Sequence, residues 1–200
     1  FCAGMDLKVF LKNVDRPSKE WHPVGSRSTD FWRKIRQHPK ITIAAINGFA
    51  YGGGLMPVFY CDLAVASDKA LMGLSEINFG GPPGGGATRA CVESVGRKWT
   101  SWIVLTGQSI TGEMAANIGL VNFCVPHDKL KDEVERIANL LLPHHPTALE
   151  WSKKQILMAM DAPGHHELGV ETDHAILGAM FRETGENPSA DGWKAFSEGK

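Results

Sequence analysis

Residues 46–63 read INGFAYGGGLMPVFYCDL, an apolar run that breaks into three consecutive glycines and resumes with hardly a charge. A stretch of this composition has to be buried, so Gly52, Gly53 and Gly54 put bare backbone into the middle of a core. Bare backbone has two uses there. It lets a helix and a strand approach more closely than side chains allow, or it leaves N–H groups at a helix start open to an anion or a developing oxyanion. From the residues alone, both uses stand. A dinucleotide-binding turn fits less well: no G-x-G-x-x-G falls here, and GGPPGGG at 80–86 does not lead into a helix with an acid beyond it. A P-loop is excluded because no GK[ST] is present.

The flanking pattern alternates strands with helices. ITIAAING, residues 41–48, predicts a strand buried on both faces, and CDLAVASD, residues 61–68, predicts a second. Between them Leu55 to Tyr60 reads as a short buried helix, with Pro57 near its start where a missing N–H costs little. ALMGLSEINF gives a short strand and then a loop rich in glycine and proline. Helical patterns over 87–96 and 97–107 are broken by Gly96 and Gly107. Thr111 caps a helix that Gly119 stops, and LVNFCVP is a last strand ended by Pro126. Ahead of these, Leu7, Phe10 and Leu11 have helical spacing, residues 13–29 read as a loop, and a helix capped by Thr29 runs to His38. Everything after Lys129 is helical in period, with breaks at Pro143, Pro146, Pro163 and Pro188. The expected class is α/β with a largely parallel sheet and a helical C-terminal region.

Two hundred residues that are 43% hydrophobic suffice for one domain with a substantial core. The 21 basic and 22 acidic residues are spread along the chain and leave a net charge of −1, so neither nucleic acid nor an anionic membrane is expected as a partner. No apolar stretch approaches the ~20 residues of a membrane span. Cys2, Cys61, Cys91 and Cys124 are too far apart for a CxxC motif, and all but Cys2 sit in apolar runs, which fits a reducing, cytoplasmic setting. The adjacent pairs His144–His145 and His165–His166 cannot both face one ion from a helix, so no metal site is expected. Glu76, in GLSEINF, is a carboxylate among apolar residues; taken alone it is either a salt-bridged surface group or a desolvated acid/base.

Four blocks, in order, resemble the crotonase (enoyl-CoA hydratase/isomerase) superfamily: FCAGMDL, AAINGFAYGGG, CDLAVASDKALMGLSEINFGGPPGGGAT and LTGQSITGEMAANIGLVNFCVP. The resemblance implies a spiral of ββα units over residues 1–128, with the family's opening units lying ahead of residue 1. It also implies that residues 129–200 form a C-terminal helical region that drives assembly into trimers or dimers of trimers. Coenzyme A would enter as part of the thioester substrate, with no separate cofactor. The N–H groups of Met5 and Gly53 would hold the thioester oxygen, so the side chain at 5 is free to vary whereas position 53 tolerates little. The CoA moiety would lie along Cys2, Ala3, Gly4 and Asp6, beside Gly52. Gly84 matches the glycine that holds the catalytic water, and the ending WKAFSEGK places Phe196 and Lys200 as CoA contacts.

Two-glutamate hydratases of this family carry their first acid where this chain has Met56, and their second where it has Glu76. The resemblance therefore leaves Glu76 as the single acid/base. AGMDLK, GLSEIN, G-x-PPG and MAANIGLVN are most similar to the hydroxycinnamoyl-CoA hydratase-lyase branch, which hydrates an aromatic enoyl-CoA and cleaves it by a retro-aldol step. That branch grips the substrate phenol with two tyrosines. Here Phe10 stands at the first place, His174 is the nearest polar residue to the second, and Tyr51 and Tyr60 match neither. A Δ3,Δ2-enoyl-CoA isomerase, which also works with one glutamate, and a non-catalytic CoA- or RNA-binding member remain alternatives.

Overall fold

The computed structural model describes residues 1–6 and 30–161; the predicted helix on Leu7, Phe10 and Leu11, the loop 13–29, and Phe196 and Lys200 lie outside the described residues. The chain divides into two compact units, Phe1–His38 with Thr42–Ala138, and Pro39–Ile41 with Asn139–Lys200.

Among the described residues, the first unit has six short strands. β1 (Ile43–Ile46), β3 (Leu63–Ser67) and β6 (Phe123–Val125) form a parallel sheet in the order β1-β3-β6. β2 (Ala50–Tyr51), β4 (Leu71–Gly73) and β5 (Ile110–Thr111) form a second, in which β2 and β4 are parallel and β4 and β5 antiparallel. The single largely parallel sheet expected from the sequence is thus two sheets, one of them mixed. The strands that make the difference, β2 and β5, have two residues each, too short for any period to show.

The first sheet is covered on both faces, as its apolar runs require. Ala44 and Ile46 of β1 and Ala64 and Ala66 of β3 face the main core, with Leu55, Met56, Met72 and Ile103. Val65, with Ile43, Ala45 and Leu63 beside it, faces a smaller cluster closed by Leu130, Val134 and Ile137. Those three residues share one stripe of α4 (Leu130–Leu141). Register is pinned by polar side chains at the strand ends. Asp62 accepts from the Thr42 N–H and hydroxyl at 2.7 and 2.8 Å, and the Asn122 side chain accepts from Ala64 N at 2.8 Å.

Glycine sets the helix boundaries. After the glycine turn comes α1 (Met56–Tyr60), with Pro57 in its first turn. α2 (Ala87–Thr106) is two helical stretches joined at Gly96, whose φ of 70° and ψ of 172° are not helical, and is ended by Gly107, where φ is 61°. The two helical patterns read on either side of Gly96 are therefore its two halves. α3 (Gly112–Asn117) is capped by Thr111, whose hydroxyl accepts from Met114 N at 3.1 Å, and is followed by Gly119 at φ 81°. In the second unit α5 (Pro146–Asp161) begins on proline, and its buried Lys153 directs Nζ to the Lys40 carbonyl oxygen at 3.4 Å. No helix among the described residues is long and apolar enough to cross a membrane. Burial pushes the Cys91 thiol pKa up, as fits a small hydrophobe, whereas Cys61 and Cys124 are only half-buried and Cys2 is exposed.

Candidate active site

Three segments distant in sequence meet at the glycine turn. The first five residues run beside β2: Cys2 N donates to the Phe49 oxygen at 2.8 Å, Tyr51 N donates to the Cys2 oxygen at 3.2 Å, and Cys2 pairs with Ala50 as an isolated parallel bridge. The turn itself, Gly52–Leu55, is a single 3-10 element leading into α1. The third segment is the 3-10 turn Glu76–Phe79, which follows β4 and closes on Gly80 at φ 80°.

Each glycine of the turn has a different surrounding. Gly54 packs on backbone: a Cβ there would collide with the Cys2 carbonyl and come 2.9 Å from Gly4 N. Gly52 has φ 52°, and a Cβ on it would sit 3.0 Å from Glu76 Oε1. Gly53 lacks both restrictions, since nothing lies within 4 Å of where its Cβ would be. Within the chain itself, the steric demand falls on Gly52 and Gly54. Close packing, one of the two uses read from the sequence, belongs to Gly52 and Gly54, whereas Gly53 has free space beside it.

Gly4 completes the interlock. Its φ is 92°, and a Cβ there would meet Tyr51 O at 2.5 Å and Gly53 N at 3.5 Å. The residue after it, Met5, is 62% exposed, so its side chain points to solvent. Cys2, Ala3 and Asp6 are likewise exposed.

Glu76 is half-buried, and its two carboxylate oxygens differ. Oε1 lies beside Gly52, and Oε2 is buried without a hydrogen-bond partner among the described residues. A buried polar atom left in this state costs about 1–3 kcal/mol, more if charged, and a catalytic role is one of the few reasons for a fold to keep it. No salt bridge to Glu76 appears among the described residues, so the surface ion-pair reading finds no support.

Met56 is 2% exposed and belongs to the main core. It brings no polar atom toward Glu76. Gly84 is exposed with open space at its Cβ position, and its carbonyl accepts from Ala87 N at 3.1 Å to start α2. A second polar group, Ser67 Oγ at 3.0 Å from His127 Nδ1, is a structural clip: Ser67 is fully buried and Asp68 accepts from the His127 backbone N–H, not from its ring. Reading the sequence missed the division of labour within the turn, because three identical letters carry no sign of which neighbour each will meet.

A glycine turn beside a half-buried carboxylate, in a fold of small sheets covered by helices, defines a class. The chain belongs to the enoyl-CoA hydratase/isomerase family, whose model matches residues 1–200. It is 36% identical over 162 residues to the hydroxycinnamoyl-CoA hydratase-lyase of Pseudomonas fluorescens, covering 76% of this chain and 55% of that protein. It is 31% identical over 191 residues to the 2,3-dehydroadipyl-CoA hydratase of Escherichia coli (strain K12), covering 95% and 72%. In three dimensions it resembles the crystal structure of an enoyl-CoA hydratase from Bacillus anthracis with a TM-score of 0.85 at 28% identity, covering all of this chain and 74% of that one. The α/β crotonase fold expected from the resemblance is the fold found. The chain spans about half the length of the hydratase-lyase that it matches.

Proposed function

We propose that this chain acts on an acyl-CoA thioester, with the N–H groups of Met5 and Gly53 receiving the thioester oxygen and Glu76 as the sole acid/base. The observation that carries this reading is the Glu76 carboxylate, seated against Gly52 with one buried oxygen unpartnered, next to the only glycine of the turn whose surroundings are open. Negative charge that develops on the thioester oxygen as an enolate forms would meet fixed backbone dipoles, and each such donor is worth ~3 kcal/mol of transition-state stabilisation. Glu76 would move the proton at the adjacent carbon. The CoA moiety would run along Cys2, Ala3, Gly4 and Asp6, with Phe196 and Lys200 from the C-terminal end, and no cofactor beyond the substrate's own CoA is required.

With one carboxylate, the finer reading is hydration and retro-aldol cleavage of an aromatic enoyl-CoA. A para-hydroxyl on the ring pushes electrons through the conjugated double bond so that Cα takes a proton and water adds at Cβ, and the matched motifs and the hydratase-lyase relative support this reading. The buried, apolar Met56 favours one other reaction, a Δ3,Δ2-enoyl-CoA isomerisation, in which one glutamate carries a proton between two carbons of the same chain. Feeding feruloyl-CoA and a 3-enoyl-CoA separately and identifying products by mass spectrometry separates the two: the lyase yields an aldehyde and acetyl-CoA, the isomerase only the 2-enoyl-CoA. Binding of thioesters without turnover of any would establish a scaffold instead. A reducing, cytoplasmic setting and assembly into trimers or dimers of trimers complete the proposal. Leu142 and Ile156 of the C-terminal helical region, 76% and 62% exposed, are the kind of apolar surface that assembly covers, and light scattering reads the mass directly.

A further inference from the structure

Among the described residues no hydrogen bond or ion pair holds the Glu76 carboxylate, and its Oε2 is buried without a partner. What keeps it beside Gly52 is therefore the main chain that carries the two residues. Gly52 follows directly on β2, and Glu76 comes shortly after Gly73, the last residue of β4. Because β2 and β4 run parallel, with Tyr51 opposite Gly73, both residues leave the same end of the second sheet. That end is thinly tied. β2 and β5 have two residues each, so the ladder itself offers few bonds against fraying.

Tyr51 adds a tie from its side chain. Its hydroxyl pairs with Ser109 Oγ at 2.7 Å, so it reaches from β2 across β4 to the residue just ahead of β5. The crossing point is Gly73. A Cβ there would lie 3.4 Å from Tyr51 Cε1, 3.5 Å from Gln108 O and 3.6 Å from Ser109 Cα, so the ring covers a strand residue that has no side chain of its own. The segment 107–109 also holds the far side of the carboxylate. Asn78 Nδ2 donates to the Gly107 carbonyl at 3.4 Å, and a Cβ on Gly107 would meet the Asn78 amide at 2.7 and 2.9 Å. Asn78 in turn belongs to the Glu76 turn, where its N–H donates to Ser75 O at 3.0 Å. One segment thus braces both the strand that leads into Gly52 and the turn that begins with Glu76.

We propose that Tyr51 is a positioning residue, its hydrogen bond to Ser109 setting the Glu76 carboxylate against Gly52 and Gly53 for proton transfer. This rests on the thioester reading of the site, and it gives Tyr51 a task on the protein's own frame. The test is kcat and Kd with crotonyl-CoA, feruloyl-CoA and 3-hexenoyl-CoA for the wild type, Tyr51→Phe, Ser109→Ala and the double variant, with thermal melting to verify the fold. Tyr51→Phe is also measured in the Glu76→Gln background. Either single variant is expected to lose about 10-fold in kcat, part of the roughly 100-fold that a 1 Å misplacement can cost, with Kd kept within about twofold. The double variant should lose no more than either single, because both remove the same bond. With Glu76→Gln already present, Tyr51→Phe should change the residual rate by less than about twofold, since no carboxylate is left to position. Ser109 is exposed, so Ser109→Ala decides the case should Tyr51→Phe not fold. An unchanged kcat in the folded variants, a loss carried by Kd, or a 10-fold loss that persists beside Glu76→Gln overturns the role of Tyr51 while the thioester reading stands. If the wild type turns over none of the three thioesters, the acid/base reading of Glu76 falls and Tyr51 with it.

Discussion

The chain has two glycine-rich stretches near Glu76, the turn at 52–54 and the loop at 80–86, and they use glycine in opposite ways. In the turn, Gly52 and Gly54 are glycine because another part of the protein occupies the space a side chain would need: the Glu76 carboxylate in one case and the Cys2 backbone in the other. In the loop the Cβ positions of Gly80, Gly81, Gly84 and Gly85 meet nothing within 4 Å, and only the left-handed φ values of 80°, 62° and 82° at Gly80, Gly85 and Gly86 restrict the residue type. The turn is built by packing together with one left-handed φ at Gly52, and the loop by backbone conformation alone. Gly53 belongs to neither description. It sits within the packed turn yet is open, which is what a ligand-facing position in a rigid frame requires.

Substitution by alanine breaks this comparison into a series. Gly54→Ala should have the largest effect, since its Cβ meets backbone that cannot rotate away; a stability loss of about 3 kcal/mol is expected from urea unfolding. Gly52→Ala comes next. The left-handed φ costs about 1–2 kcal/mol and the methyl group displaces Glu76 Oε1, so stability and turnover should fall together. Gly86→Ala should lose stability for the backbone reason alone, about 1 kcal/mol. Gly53→Ala should unfold within about 0.5 kcal/mol of the wild type, while acyl-CoA binding weakens measurably by calorimetry because the methyl group enters the open side. Gly84→Ala should change stability least. If Gly53→Ala proved as destabilising as Gly54→Ala, the turn would be a packing device throughout and its open member would carry no function.

Much of this was legible in the sequence where the signal is local. Thr111 caps α3, Gly96 interrupts α2 and Gly107 ends it, and Leu55 to Tyr60 lie in a short helical stretch behind the glycines, all as their residue types dictate. The split into two sheets was not legible. It depends on pairing two-residue strands, Ala50–Tyr51 with Leu71–Gly73 and these with Ile110–Thr111, which is decided by packing at long range. The site was legible as a set of residue types but not as a geometry. Nothing in GLSEINF states that Glu76 will lie against Gly52, and nothing in GFAYGGG states that Tyr51 will reach Ser109. Met56 shows the same limit from the other side: the sequence shows an apolar residue at the position, and only the fold shows it 2% exposed in the core.

The central claim is that one carboxylate, Glu76, performs the proton transfer beside a backbone cradle that binds independently of it. The most direct measurement is the kcat of Glu76→Gln on whichever thioester the wild type turns over, together with the Kd for that thioester. The account predicts a loss of at least ~100-fold in kcat, the lower bound for a positioned acid/base, with Kd kept within about twofold because the N–H donors of Met5 and Gly53 are untouched. A variant that turns over at a near-wild-type rate would contradict it and remove Glu76 from the chemistry.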